Sequence, residues 1–304
     1  MNILITGGTG SLGSELVKVF TTQGHAVTVL SRDPHKQAKL LAEYPQVNAI
    51  LGDVRDYTRV LFAMQGQQKV VHAAANKRVD LGETNPEEYF SVNVEGTQNV
   101  ARAAIACGVR QALLIATDKA CCATTLYGVT KHLATGVWLS KLNSGVEFCA
   151  LRYGNVVNSN GSVWQVWQER VAGGLPLVVR EPEPTRFFMC KTEAVALVLN
   201  VLLHIRNGGI FVPGNTPAFS LWDLARELQP ESRWCRELLG PGEKQHEVLV
   251  APTEYIEQIT EDLWCIDPKR AKAVHSIPAQ FYSETAPRLD AKEVIRRLHA
   301  TDHC

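Results

Sequence analysis

The chain has no C-x-x-C pair, no apolar run long enough to cross a bilayer and no net charge. Its cysteines, Cys107, Cys121, Cys122, Cys149, Cys190, Cys235, Cys265 and Cys304, are scattered, so neither a zinc site nor a redox dithiol is indicated and no metal is expected. The adjacent Cys121-Cys122 admits a thiol switch, but small buried or half-buried fillers are the expectation, in a reduced cytoplasm. The longest apolar run, "AVALVLNVLL" at 194–203, suits a buried helix. Lysine plus arginine total 31, as do aspartate plus glutamate, which removes the bulk electrostatic argument for nucleic acid or a membrane surface. Strand-like residues begin at Ile3, leaving no room for a signal peptide.

What is present is a core. With 45% hydrophobic residues in 304, the chain can bury one large α/β unit or a main domain plus a smaller lobe. "NILIT", "AVTVL", "VNAIL", "KVVHAAA", "QALLIAT" and "EFCALRY" read as strands. Between them lie helical patterns through "SLGSELVKVFTTQG", about 34–43, 56–64 and 86–107, with Gly108 as a C-cap, and one carrying Tyr127 and Lys131. Strict alternation predicts right-handed βαβ units in a doubly wound parallel Rossmann sheet. After about residue 155, "GNVVNSNGS", "REPEPTRFF", "VPGNTPAFS" and "LLGPGEKQHE" are loop-rich. The expected division is a dinucleotide domain over 1–155, with later segments returning to the sheet, and a smaller ligand lobe over 156–304.

"TGGTGSLG" follows the first strand and opens a helix. Gly7, Gly10 and Gly13, with Thr9, Ser11 and Leu12 between them, permit a tight turn and close approach of a pyrophosphate to backbone N–H groups. The second strand ends in Ser31 and Arg32 where a ribose-binding acid usually stands. A hydroxyl and a guanidinium suit a 2′-phosphate, so NADP is favoured over NAD. The competing reading leaves Arg32 as a solvated charge and Asp33 as a helix cap. Asp53, beside Val54 after the third strand, is placed to accept from an adenine amine. Ala73, Ala74 and Ala75 leave room for a flat cofactor, and His72 reads as scaffold.

Tyr127 and Lys131 have the Y-x-x-x-K spacing of one helical turn, which lets a phenol exchange a proton with a hydroxyl being oxidised. On this reading the Lys131 ammonium lowers the phenol's pKa and holds the ribose, while Thr117 bonds the same hydroxyl. With the glycine turn, these residues resemble the extended short-chain dehydrogenase/reductases. "TDKA" with "LYGVTK", "RYGNVVNSNGSV", "TRFF" and "GPGEKQHEV" more narrowly resemble the soluble, inverting UDP-N-acetylglucosamine 4,6-dehydratases, which begin routes to bacterial surface sugars such as pseudaminic acid. The likeness runs from about residue 3 to "RLDAKEV" at 288–294.

That resemblance implies a use for Asp118 and Lys119. Hydride leaves C4 of the sugar for NADP⁺ while Tyr127 takes the hydroxyl proton. Lys119, held neutral by desolvation and the nicotinamide charge, removes the C5 hydrogen. Protonated Asp118 donates to the departing C6 hydroxyl, hydride returns to C6, and C5 is reprotonated from the opposite face. Retaining relatives carry Asp-Glu at this pair, and a membrane-linked branch has methionine at the Tyr127 position. The alternatives are a C4 or C5 epimerase, whose resembling members have methionine-glycine where Leu126-Tyr127-Gly128 stands, and an inactive NADP-sensing protein.

For the UDP-sugar itself, the resemblance implies contacts from Lys77, Asn155, Ser162, Val163, Arg186 and Lys244, with Glu243 and Glu247 nearby. Each of these charges also fits an ordinary surface. Phe187 and Phe188 are expected in the core. The chain departs from the family at Gly240, where an arginine is usual and Arg236 is the candidate substitute, at Ala116, and through "CCATT". A homo-oligomer is expected.

Overall fold

The computed structural model describes residues 1–157, 162–271 and 278–301. Part of the "GNVVNSNGS" stretch and Cys304 therefore lie outside the described residues. The first half contains β1 (Asn2–Thr6), α1 (Ser11–Thr22), β2 (Ala26–Ser31), α2 (Pro34–Glu43), β3 (Asn48–Leu51), α3 (Tyr57–Met64) and β4 (Lys69–His72). It continues with α4 (Val79–Thr84), α5 (Pro86–Phe90), α6 (Gly96–Ala106), β5 (Gln111–Ile115), α7 (Leu126–Leu139) and β6 (Glu147–Leu151). The second half adds β7 (Asn155–Val156), α8 (Val163–Ala172), β8 (Leu177–Glu181), β9 (Thr185–Met189), α9 (Lys191–Leu203) and β10 (Ile210–Pro213). Then follow β11 (Ala218–Ser220), α10 (Leu221–Leu228), β12 (Trp234–Leu238), β13 (Glu254–Thr260), β14 (Leu263–Ala271) and α11 (Ala291–Thr301).

The main sheet has the order β13-β14-β10-β6-β5-β4-β1-β2-β3. Its strands from β3 to β10 pair in parallel, and β14 and β13 finish it as an antiparallel edge. The fold is the doubly wound α/β Rossmann type, and strand order reverses at β1, between β2 and β4. Period-two burial builds its two faces. Leu4 packs into one apolar cluster with Met64, Val100 and Trp138, while Ile3 and Ile5 pack into the other with Leu16, Phe20 and Val198. Each such side chain contributes about 1.5–3 kcal/mol of burial.

The 194–203 run forms most of α9, which turns Ala194, Val198 and Val201 inward but leaves Leu203 in solvent. The remaining strands form two small sheets, β11-β9-β7 and β12-β8. They share an apolar cluster of Trp164, Trp167, Phe188, Phe219, Val294 and Leu298. Two features depart from the sequence expectation. The α4 turn was not foreseen, and the helix expected over 86–107 is interrupted by a π turn at Ser91–Glu95. That turn buries Asn93, whose side chain accepts from Asn76 N at 2.8 Å and donates to Asn76 O and to Thr130 Oγ1 at 3.1 Å each. Asn93 thereby ties the loop after β4 to α7.

Candidate active site

A cleft of about 1250 Å³ opens at the carboxyl ends of the parallel strands and is lined by both halves of the chain. At one end lies the glycine turn. A Cβ on Gly13 would sit 2.3 Å from Gly7 O, so only glycine lets α1 close on the turn. Gly10 caps α1 with no side-chain hydrogen bond, and the first turn carries no acidic residue. That helix end is suited to an anion. Gly7, Thr9, Gly10, Ser11, Leu12 and Gly13 all line the cleft.

Ser31, Arg32, Val54, Ala73, Ala74, Ala75 and Lys77 line it too, whereas Asp53 does not. The Asp53 carboxylate accepts from Arg55 N at 2.9 Å and Arg55 Nη2 at 2.7 Å and lies 3.5 Å from Arg32 Nη1, so its expected adenine contact meets oxygens already engaged. Ser31 Oγ accepts from Gln37. Asp33 caps α2, accepting from His35 N and Lys36 N, while Arg32 remains half exposed at the cleft. The cap and the cleft position coexist. His72 is buried between Thr6 Oγ1 at 2.6 Å and Thr97 Oγ1 at 3.0 Å and is stacked on Trp138, a scaffold position.

Thr117, Lys119, Tyr127 and Lys131 line the cleft, and Asp118 lies buried directly behind Lys119, outside the lining. Thr117 caps a 3-10 turn, Asp118–Ala120, that follows β5. Gly128 lets α7 lie against that turn: a Cβ there would meet Lys119 O at 2.3 Å. Tyr127 and the Asp118-Lys119 pair are thus brought together by backbone packing. Asp118 is fully buried; its Oδ1 accepts from Thr117 Oγ1 at 2.9 Å and from Lys119 Nζ at 3.2 Å, while Oδ2 has no hydrogen-bond partner. Burial pushes its pKa up, against the pull of Lys119.

Two expectations are corrected here. Burial lowers the Lys119 pKa, but the carboxyls of Asp118 and Glu247 outweigh it and hold the amine charged, not neutral. Burial also pushes the Tyr127 phenol up to about 12, and the cation opposing this is Lys119, not Lys131. Lys131 donates to Ile115 O at 2.8 Å, and burial brings its pKa down to about 8.

From the second half come Asn155, whose Oδ1 accepts from Lys119 Nζ at 3.2 Å, and Ser162, which caps α8 with Val163 next to it. Arg186, Lys244 and Glu247 also line the cleft. Arg186 donates to Glu243 Oε1 at 3.1 Å, and Lys244 to Cys121 O. Glu247 lies 3.2 Å from Lys119 Nζ and 3.5 Å from Lys244 Nζ, an ion-pair partner rather than a free substrate contact. Arg236 does not substitute for the arginine missing at Gly240, because Glu181 and Glu231 hold it outside the cleft lining. Arg170 and Arg180, unremarked in the sequence, do line the cleft. Phe187 and Phe188 are fully buried. Cys121 is buried but Cys122 is exposed, so the filler expectation holds for only one of the pair. Among the described residues no helix is long and apolar enough to cross a membrane, and no cluster of His, Cys, Asp or Glu could hold a metal ion.

Known proteins share this architecture. The family model "Polysaccharide biosynthesis protein" matches residues 3–266. A UDP-N-acetylglucosamine 4,6-dehydratase (inverting) of Campylobacter jejuni is 34% identical, over 88% of this chain and 83% of that protein. A UDP-glucose 4-epimerase of Rickettsia rickettsii is 36% identical, over 83% of this chain and 78% of that protein. The X-ray structure of Pen from Bacillus thuringiensis superposes with a TM-score of 0.86 at 29% identity, covering 98% of both chains. The chain belongs to the polysaccharide biosynthesis protein family, within the extended short-chain dehydrogenase/reductases.

Proposed function

We propose that the chain catalyses an NADP-dependent 4,6-dehydration of UDP-N-acetylglucosamine with inversion at C5, giving a UDP-4-keto-6-deoxy-amino sugar. The observation that carries this reading is the contact of Lys119 Nζ with buried Asp118 Oδ1 at 3.2 Å, with Tyr127 packed against the same turn in the glycine-turn cleft. The name of the Campylobacter jejuni relative supports it.

The cleft residues fit a nicotinamide dinucleotide. The uncapped start of α1 suits its diphosphate, Arg32 beside Ser31 suits a 2′-phosphate, and Lys131 is available to ribose hydroxyls. When bound, that cofactor supplies the acceptor, and later the donor, of hydride. The lobe formed mainly from residues 156–304 holds the nucleotide sugar, with Arg170, Arg180, Arg186 and Lys244 as its cationic contacts.

Tyr127 takes the C4 hydroxyl proton, drawn toward the phenolate form by Lys119 and Thr117 against the upward push of burial. Lys119 begins as an ammonium. Passing its proton to Asp118 Oδ1 leaves an amine for C5 and a carboxylic acid for the C6 oxygen, and burial favours that neutral pair. The acid proton departs with the C6 hydroxyl as water, while Lys119 keeps the proton taken from C5. Inversion follows when a solvent water, which recovers its proton from Tyr127, protonates C5 from the face opposite Lys119.

The Rickettsia rickettsii relative favours a second reading, an epimerase that oxidises C4 and retains the C6 hydroxyl. Mass spectrometry of UDP-N-acetylglucosamine incubated with the purified protein separates the two. Loss of one water supports the dehydratase; a stereoisomer of unchanged mass supports the epimerase; unchanged sugar with tight NADP binding leaves a sensor.

A further inference from the structure

We propose that Glu247 is a positioning residue for Lys119: its buried carboxylate, carried by the 240–247 loop, completes the cage that fixes the ammonium beside Asp118. An ammonium has three N–H donors. Lys119 Nζ has three oxygen neighbours at 3.2 Å each, Asp118 Oδ1, Asn155 Oδ1 and Glu247 Oε1. They come from the turn after β5, from β7 and from the loop before β13. No single segment holds the amine; it is set only when all three are seated.

Glu247 is built to stay in place. It is 2% exposed, its backbone N–H donates to Ser283 Oγ at 2.8 Å, and its carbonyl accepts from Ser283 N at 2.9 Å. Its Oε2 lies 3.5 Å from Lys244 Nζ, and Lys244 reaches back to the carbonyl of Cys121 just beyond the Asp118–Ala120 turn. The charged and titratable groups around Lys119 are Asp118, Glu247, Arg186 and Tyr127, with Lys244 behind Glu247. Of the two carboxyls, Asp118 belongs to the turn that carries Lys119 itself. Glu247 is the one whose presence depends on the second half of the chain, so seating of the 240–247 loop sets both the orientation and the protonation of the amine.

The catalytic consequence rests on the dehydratase reading; the electrostatic one does not, and the experiment reads them separately. Lysine ε-carbons are ¹³C-labelled, Lys119 is assigned by the loss of its signal in Lys119→Arg, and its titration is followed by NMR. In the wild type Lys119 stays protonated beyond the ordinary 10.5. In Glu247→Gln an isosteric neutral group replaces the anion, and the titration moves down by about one unit or more. Glu247→Asp keeps the charge but withdraws it, giving an intermediate shift. The falling limb of the kcat/KM–pH profile for water loss, where the Lys119–Asp118 pair gives up its proton, moves down with it, with KM little changed. An unmoved Lys119 titration in both variants overturns the proposal. Wild-type protein that releases no water removes the dehydratase reading and leaves the NMR result standing.

Discussion

Gly242 and Thr124 meet backbone to backbone. A Cβ on Gly242 would lie 2.3 Å from Thr124 O, and Thr124 Oγ1 donates to Gly242 O at 2.6 Å. This contact docks the loop bearing Lys244 and Glu247 onto the segment between Lys119 and Tyr127. Gly242 also has φ +69°, a conformation that strains any side chain. Gly242→Ala is expected to cost about 1–3 kcal/mol, read as a lowered urea midpoint. Turnover falls more than cofactor affinity, because the glycine turn lies elsewhere in the cleft.

Lys119→Ala removes the proposed C5 base and leaves the α1 end untouched. The expected outcome is ordinary NADP binding by calorimetry with no release of water. Tyr127→Phe is expected to retain binding and lose turnover by roughly 10²–10⁴-fold, the usual contribution of a positioned acid–base group. Normal turnover in either variant would refute the assigned role.

Arg32 tests the cofactor. Its guanidinium is half exposed at the cleft and lies near Asp53 and Glu88 at 3.5 and 3.6 Å. Arg32→Ala is expected to weaken NADP by about tenfold or more while changing NAD little, since a charge-assisted contact to a 2′-phosphate is worth about 1.5–3 kcal/mol. Equal weakening of both cofactors would assign Arg32 to scaffold.

His72 gives a pH signature. Burial lowers its pKa from 6.5 to about 3, so the unfolded chain takes up a proton that the folded chain refuses. Stability therefore falls as pH drops below 6.5 and goes on falling until about 3. The slope from this residue approaches about 1.4 kcal/mol per pH unit at its steepest. His72→Gln is expected to flatten the decline in urea midpoint between neutral and mildly acidic pH, whatever its absolute stability.

The sheet was legible because β1 to β6 are short β-branched runs between glycine turns and periodic helices, a local pattern. The Thr117–Lys131 constellation was equally legible, since one turn and one helix place all its members. The charge on Lys119 was not. Burial alone lowers the Lys119 pKa, and the carboxyls of Asp118 and of Glu247, far along the chain, outweigh it. Arg180 and Arg236 fall on paired strands, β8 and β12, and each is paired with two glutamates, so neither strand pattern nor charge shows in the sequence which one lines the cleft. The α4 turn escaped because "VDLGET" is too short to show a period and holds a glycine. The π turn at Asn93 cannot be seen in a pattern that assumes a constant 3.6-residue repeat.

The most direct test is turnover of UDP-N-acetylglucosamine in heavy water, with the product read by NMR. The account predicts a 4-keto-6-deoxy sugar with deuterium at C5 and the configuration there inverted. Recovery of a C4 or C5 stereoisomer that still carries its C6 hydroxyl would contradict it.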